Sequence, residues 1–316
     1  MAVAAPSRST PAANRAWLPV FERFLSIDSV AAWPWEVVPE EQARELRLAP
    51  PKTNLGQGRG RFRLLAEILA APVARGSSIC DVGAFPGTTL RLIRQLPGGD
   101  RVRIGAAGLG IDGEFRRALQ AIDVETIEAE FDVRATDPGV SHLLAVPLPT
   151  ERWDVVVCTE VVEHQLQPLA LLVGCNRLLR PGGKLVLTTN SASFIGDVLK
   201  LLAGRHNVEA LGRSHVLVDH AWRPHMRLYL LEEMEELLRL VGFDIERGRY
   251  FDGGNVYAGA KGAVIGAIRR LAGTVPRLRS HLVIVATKAA EPPPESLRRL
   301  DASFGIFGLT RPGARD

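Results

Sequence analysis

From Ser78 onward the chain alternates two kinds of sequence, and that alternation limits its folds more than any other feature. The runs "SICDVG", "RVRIGAAGLGI", "VETIEAEF", "WDVVVCTE" and "KLVLTTN" are short and apolar. Between them lie segments of helical period: "TTLRLIRQL", "GEFRRALQAI" and "PLALLVGCNRLL". A helix between two strands returns the chain to the same end of the sheet, so the strands must lie parallel with right-handed crossovers. Val155, Val156 and Val157 are apolar without alternation, which suits a central strand buried on both faces. Pro97-Gly98-Gly99 stops the first helix. Arg180-Pro181-Gly182-Gly183 is expected to be a tight turn feeding the fifth strand. The expected fold class is α/β, a Rossmann-like sheet with helices on both faces.

The rest of the chain frames this unit. Residues 1–14 are expected to be disordered and 15–60 to form an N-terminal helical lid, with apolar residues at helical spacing in "AWLPVFERFLSI". The main domain spans 61–290, and residues 191–230 form an insertion too long for a simple crossover. "LLEEMEELLRLVGF" is a helix ended by Gly242, "FDIERGRYF" and "HLVIVATK" are the last strands, and 291–316 read as a mobile tail. Hydrophobic residues make up 46% of the 316, enough for a substantial core. A net charge of +4, dispersed along the chain, argues against a nucleic-acid partner. Cys80, Cys158 and Cys175 lack metal-ligand spacing and suit a reducing compartment. With no apolar run of about 18 residues, stable membrane insertion is not expected, and the chain reads as cytoplasmic.

Ligands of open α/β sheets bind beyond the carboxyl ends of the strands. The turn after the first strand, "DVGAFPG", is therefore the first place to look. Gly83 permits a sharp bend and Gly87 a close backbone approach. The helix that starts near Thr88 offers free amides. Asp81, just before the bend, can accept from a ligand ammonium or hold turn amides. Phe85 breaks the G-x-G-x-x-G pattern, leaving less room for a pyrophosphate but mattering less to a ligand without phosphate.

In order, "DVGAFPG", "WDVVVCTEVVEH", "NRLLRPGGKLVLTTN" and "HMRLYLLEEMEELLRLVGF" resemble the successive signatures of class I S-adenosylmethionine-dependent methyltransferases, in the branch with Glu-Val-x-Glu-His after the fourth strand. The resemblance covers roughly Phe62 to Lys288. It implies a seven-stranded mixed sheet with the last strand antiparallel, S-adenosylmethionine as methyl donor and S-adenosylhomocysteine as product. Asp81, Gly83, Ala84, Phe85 and Gly87 match the loop around the methionine part of that cofactor. Gly110 stands where the family has a ribose-binding acid; either Asp112, two residues later, takes that role, which is the expectation, or the ribose is held otherwise. Asp132 matches the position facing adenine, and Thr159, Glu160 and Val161 match the strand end that flanks the cofactor.

The implied reaction is methyl transfer to a small-molecule or glycan acceptor, on oxygen. His164 has two readings: a base that takes the acceptor's hydroxyl proton, or a side chain that orders its loop by hydrogen bonding. His225, Arg227 and Tyr229 match a His-x-Arg-x-Tyr segment that either lines the acceptor pocket or caps the next helix. His206, His215, His220 and His225 fit no common ligand spacing, so no metal is expected. The basic segment 263–279 reads as a surface helix, with contact to an anionic membrane as the alternative. Two rival functions share the fold: an NAD(P)-dependent oxidoreductase and a non-catalytic S-adenosylmethionine-binding protein. Neither the acceptor nor the oligomeric state follows from the sequence.

Overall fold

Each apolar run is short and is followed by a segment that carries the chain back over one face, so the strands stack in parallel. The computed structural model describes residues 15–25, 33, 35, 37, 40, 44, 53–108, 111, 113–129, 131, 150–207, 225–253 and 258–293. The strands are β1 (Ile79–Val82), β2 (Ile104–Gly108), β3 (Val124–Glu128), β4 (Trp153–Thr159), β5 (Leu179–Asn190), β6 (Phe243–Phe251) and β7 (His281–Lys288). They form one seven-stranded sheet in the order β3-β2-β1-β4-β5-β7-β6. The first five pair in parallel. β7 lies between β5 and β6 and runs antiparallel to both, so the mixed sheet is the one expected. Strand order reverses between β1 and β4, which opens a crevice at their carboxyl ends.

The helices are α1 (Trp17–Phe24), α2 (Asn54–Gln57), α3 (Arg59–Ala74), α4 (Thr88–Gln95), α5 (Gly113–Ala121), α6 (Pro168–Leu178), α7 (Ile195–Leu202), α8 (Leu231–Leu240) and α9 (Gly259–Ala272). Side chains of a strand alternate between faces, and both faces here are apolar. Cys80, Val82, Val156, Cys158, Leu185 and Leu187 join a core with α6 and α8. Ile79, Ile104, Ala106, Val155, Val157 and Val186 join a second core with α3, α4 and α5. α1 adds Trp17, Phe21 and Phe24 to this second core. The expected lid segment thus contributes a helix that packs on α3 and α4.

Residues 180–183 differ from the expected turn. Trp153 pairs with Leu179 and Val155 with Lys184, so five residues of β5 span two of β4. The segment is a bulge within one strand, because both of its ends reach β4, and Gly182 takes φ +73° inside it. Residues 1–14, 26–32, 45–52, 208–224 and 294–316 lie outside the described residues, and with them the expectations of a disordered start and a mobile tail.

Two buried contacts hold the layers in register. Asn176, fully buried on α6, donates its amide hydrogens to the carbonyls of Val241 (2.8 Å) and Ala290 (3.0 Å). Gly105 on β2 faces the Trp153 ring, and a Cβ there would lie 2.5 Å from ring carbons. Asn176→Leu leaves two carbonyls without donors and is expected to cost about 2–4 kcal/mol of unfolding free energy in urea titration. Gly105→Ala forces the Trp153 ring to shift and is expected to cost about 1–3 kcal/mol in the same assay.

Candidate functional site

The site begins where β1 leaves the sheet. Gly83 (φ +75°) and Gly87 (φ +90°) both occupy the left-handed region that glycine enters without cost. A Cβ on Gly83 would strike Val161 at 2.3 Å, so the turn presses directly on the segment that follows β4. The Gly83 amide donates to the Ala107 carbonyl at 2.8 Å, which ties the turn to β2. Phe85 does not fill the turn. It is 58% exposed, its ring edge-on to Phe115 at 5.2 Å. Residues before the main domain also reach the turn: Trp33 donates from Nε1 to the Pro86 carbonyl at 2.6 Å, and Asn54 donates to Thr88 Oγ1 at 2.9 Å. Among the described residues no side chain caps α4, which leaves its first amides at the turn for a ligand.

Asp81 lies beneath this turn, 2% exposed. Its Oδ1 is buried without a hydrogen-bond partner among the described residues. Burial pushes its carboxyl up to about 8, against the opposing pull of the Arg61 charge. A buried carboxylate oxygen lacking a donor is costly, and a ligand ammonium beside it would supply one.

Across the crevice, β4 ends in a 3₁₀ turn, Val162–His164. Glu160 precedes it at φ +55°. The Glu160 side chain turns away from the glycine turn, toward β5 and β7. It accepts from Thr188 Oγ1 (2.8 Å) and Asn190 Nδ2 (3.0 Å), with His281 Nε2 at 3.2 Å and Arg61 Nη1 at 3.7 Å. Burial opposes its ionisation, but His281, Arg61 and the Thr188 hydroxyl outweigh burial and hold it well below the usual carboxylate range. Glu163 is fully buried and accepts from Thr189 Oγ1 (2.7 Å) and the same Asn190 amide (3.0 Å). Burial, and then the charge on Glu160, push its carboxyl up to about 8. Two carboxylates three residues apart therefore have opposite protonation tendencies.

The Glu163 carbonyl also accepts from the Met226 amide at 2.7 Å, which brings residue 225 over the 3₁₀ turn. The His164 and His225 rings lie 4.7 Å apart, centre to centre. Donor atoms of Glu163, His164 and His225 all fall within 4.8 Å of one another, a set that could hold a metal ion. Linear histidine spacing gave no sign of it, because two of the three donors are adjacent and the third arrives from within the insertion.

Of the three residues expected at the acceptor pocket, His225 stands against His164. Arg227 instead pairs with Glu233 at 2.7 Å, and Glu233 accepts from the Leu230 amide, so these residues cap α8. Tyr229 is fully buried in the core that includes residues of α6 and α8, and its residue bridges to Ser191. Gly110, Asp112 and Asp132 lie outside the described residues, as do His215 and His220. Sequence reasoning missed Arg61, Thr189, Asn190 and His281. Their signal was polarity at the ends of apolar strands: "TTN" closes β5 and His281 opens β7.

A family described as a methyltransferase domain matches residues 57–247. The ubiquinone biosynthesis O-methyltransferase of Roseobacter denitrificans is 29% identical over 177 residues, 56% of this chain and 64% of that protein. The protein of the same name from Leptothrix cholodnii is 32% identical over 141 residues, 42% of this chain and 56% of that protein. The chain thus spans less than two thirds of these relatives' length. The 1,6-didemethyltoxoflavin-N1-methyltransferase of Burkholderia thailandensis is 19% identical, covers 90% of this chain and 95% of its own, and superposes with a TM-score of 0.45. The family match takes in more than half of the chain, from α2 through most of β6, and on that match the chain belongs to the methyltransferase-domain family.

Proposed function

We propose that this chain is an S-adenosylmethionine-dependent methyltransferase acting on a hydroxyl of a small-molecule acceptor. The orphaned Asp81 oxygen beneath the glycine turn carries the reading. S-adenosylmethionine, when bound, supplies a methyl group already activated on a sulfonium. Asp81 would accept from the ammonium of its methionine part, and the α4 amides would meet the carboxylate. The Gly83–Gly87 turn, closed by Val161 on one side and Phe115 on the other, would exclude water from it.

The chain's remaining task is to place the acceptor oxygen in line and take its proton. His164 and His225 stand together at the crevice, and a hydroxyl between them would lose its proton to an imidazole. Glu163, fixed by Thr189 and Asn190, holds the backbone of that turn in place. The name shared by the two O-methyltransferase relatives supports oxygen as the acceptor atom. A glycan acceptor remains the alternative substrate class. The convergence of Glu163, His164 and His225 favours a second reading of the same pocket. A divalent cation on these donors would bind the acceptor oxygen and lower its pKa, replacing the base.

Asp81→Asn is expected to weaken S-adenosylhomocysteine binding about ten- to hundredfold by calorimetry; unchanged affinity would end the cofactor assignment. The raised Asp81 carboxyl also sets a pH dependence. Its folded value of about 8 lies above the unfolded one, so its contribution to stability is full in acid and fades as pH rises through about 8. The melting temperature of the ligand-free chain is expected to fall over that window, and less so in Asp81→Asn. His164→Ala is expected to lower turnover about a hundredfold or more with cofactor affinity unchanged. Turnover abolished by a chelator and restored by a divalent ion would select the cation reading over the base.

A further inference from the structure

Helices α7 and α9 are built unlike the other helices of this chain: among the residues whose burial is described, neither has a buried one. They pack against each other, and Ser193, just before α7, donates to the Arg277 carbonyl beyond α9. Their outward surface is apolar. α7 exposes Leu199, Leu201 and Leu202, the last at 79%. α9 turns Ala260, Ala263, Val264 and Ala267 to solvent, with Val264 at 58%. An ordinary surface helix turns its apolar stripe inward; here a large part of it faces out.

The charge beside this surface is mainly basic, although Arg277 is paired with Glu232 of α8 and Arg279 donates to the Tyr250 and Gly273 carbonyls. Residues 259–279 hold Lys261, Arg269, Arg270, Arg277 and Arg279 and no acidic residue. Arg205 and Arg270 are exposed at its edges. The nearby acid on α7, Asp197, is paired with Lys200. The surface also has a fixed place in the fold. α7 follows the carboxyl end of β5, and α9 joins the carboxyl end of β6 to His281 at the start of β7. Asn190 and Phe251 both pair with His281. The two helices therefore stand on the edge of the sheet that carries Glu160 and Glu163.

We propose that α7 and α9 form a docking surface for an anionic lipid bilayer. Exposed leucines and Val264 enter the acyl boundary, and Arg205 and Arg270 meet lipid phosphates. The helices lie in the interface and do not cross it; among the described residues, no helix is long and apolar enough to span a membrane. Docking in this way turns the crevice toward the bilayer. That last consequence rests on the methyltransferase reading, whereas the docking surface does not.

Co-sedimentation of the full chain with vesicles tests it. The chain is expected to sediment with vesicles of phosphatidylcholine and phosphatidylglycerol, and to do so weakly with phosphatidylcholine alone. Arg270→Gln is expected to lower the partition constant about fivefold, and Leu202→Glu with Val264→Glu to abolish binding. Calorimetry with S-adenosylhomocysteine on each variant reads folding and the cofactor site separately. Vesicle binding with no cofactor heat would sink the methyltransferase reading and leave docking standing. A folded parent chain that ignores anionic vesicles, or a double variant that still binds them, overturns docking. So does sedimentation equilibrium showing that the double variant only dissociates a dimer, which would make the surface a contact between copies of this chain.

Discussion

One amide joins the two halves of the site. Asn190, the last residue of β5, donates to both Glu160 and Glu163, at 3.0 Å each. Neither carboxylate can move without breaking a bond to that group. Around it, Thr188 and Thr189 take one glutamate each, from successive positions on the same strand. His281 and Arg61 bring in β7 and α3. Four elements are thus locked at one edge of the sheet by polar contacts that are largely shielded from water, where such contacts hold geometry tightly. The price is electrostatic: with Glu160 ionised, Glu163 resists ionising beside it.

That lock positions the chemistry indirectly. Glu160 stands at φ +55°, an uncommon backbone angle for a side-chain-bearing residue, and its bonds to β5 and β7 hold it there. The 3₁₀ turn that follows places His164, and the Glu163 carbonyl receives the Met226 amide that fixes His225 above it. On the opposite wall the constraint is steric. A Cβ on Gly83 would collide with Val161 at 2.3 Å, and one on Gly87 would crowd Trp33 at 3.1 Å, so the turn sits close against both.

Much of the fold was legible because its signals are local. Strands buried on both faces read as unbroken apolar runs, and Val155–Val157 is one; helices read from their period, as in 60–74. The bulge at 180–183 was read as a turn because Pro-Gly-Gly looks the same in both. Only the pairing of Leu179 and Lys184 with one neighbour separates them. The site was legible in part. Asp81, Gly83 and Gly87 lie in one motif, and their roles follow from a strand–turn–helix corner. Arg61 and His281 are 99 residues from the motif's glutamate and 121 beyond it, with nothing local to link them.

The sequence by itself determined the alternation of strands and helices, the glycine turn and the position of the carboxylate beneath it, since backbone angle and periodicity are properties of neighbouring residues. Tertiary structure alone decided which way Glu160 points, that Arg227 pairs with Glu233 of α8 and Tyr229 is buried, that His225 meets Glu163 and His164, and that two helices keep apolar side chains in water. Those outcomes depend on which distant groups share a space and on what solvent remains there, and no local pattern encodes either.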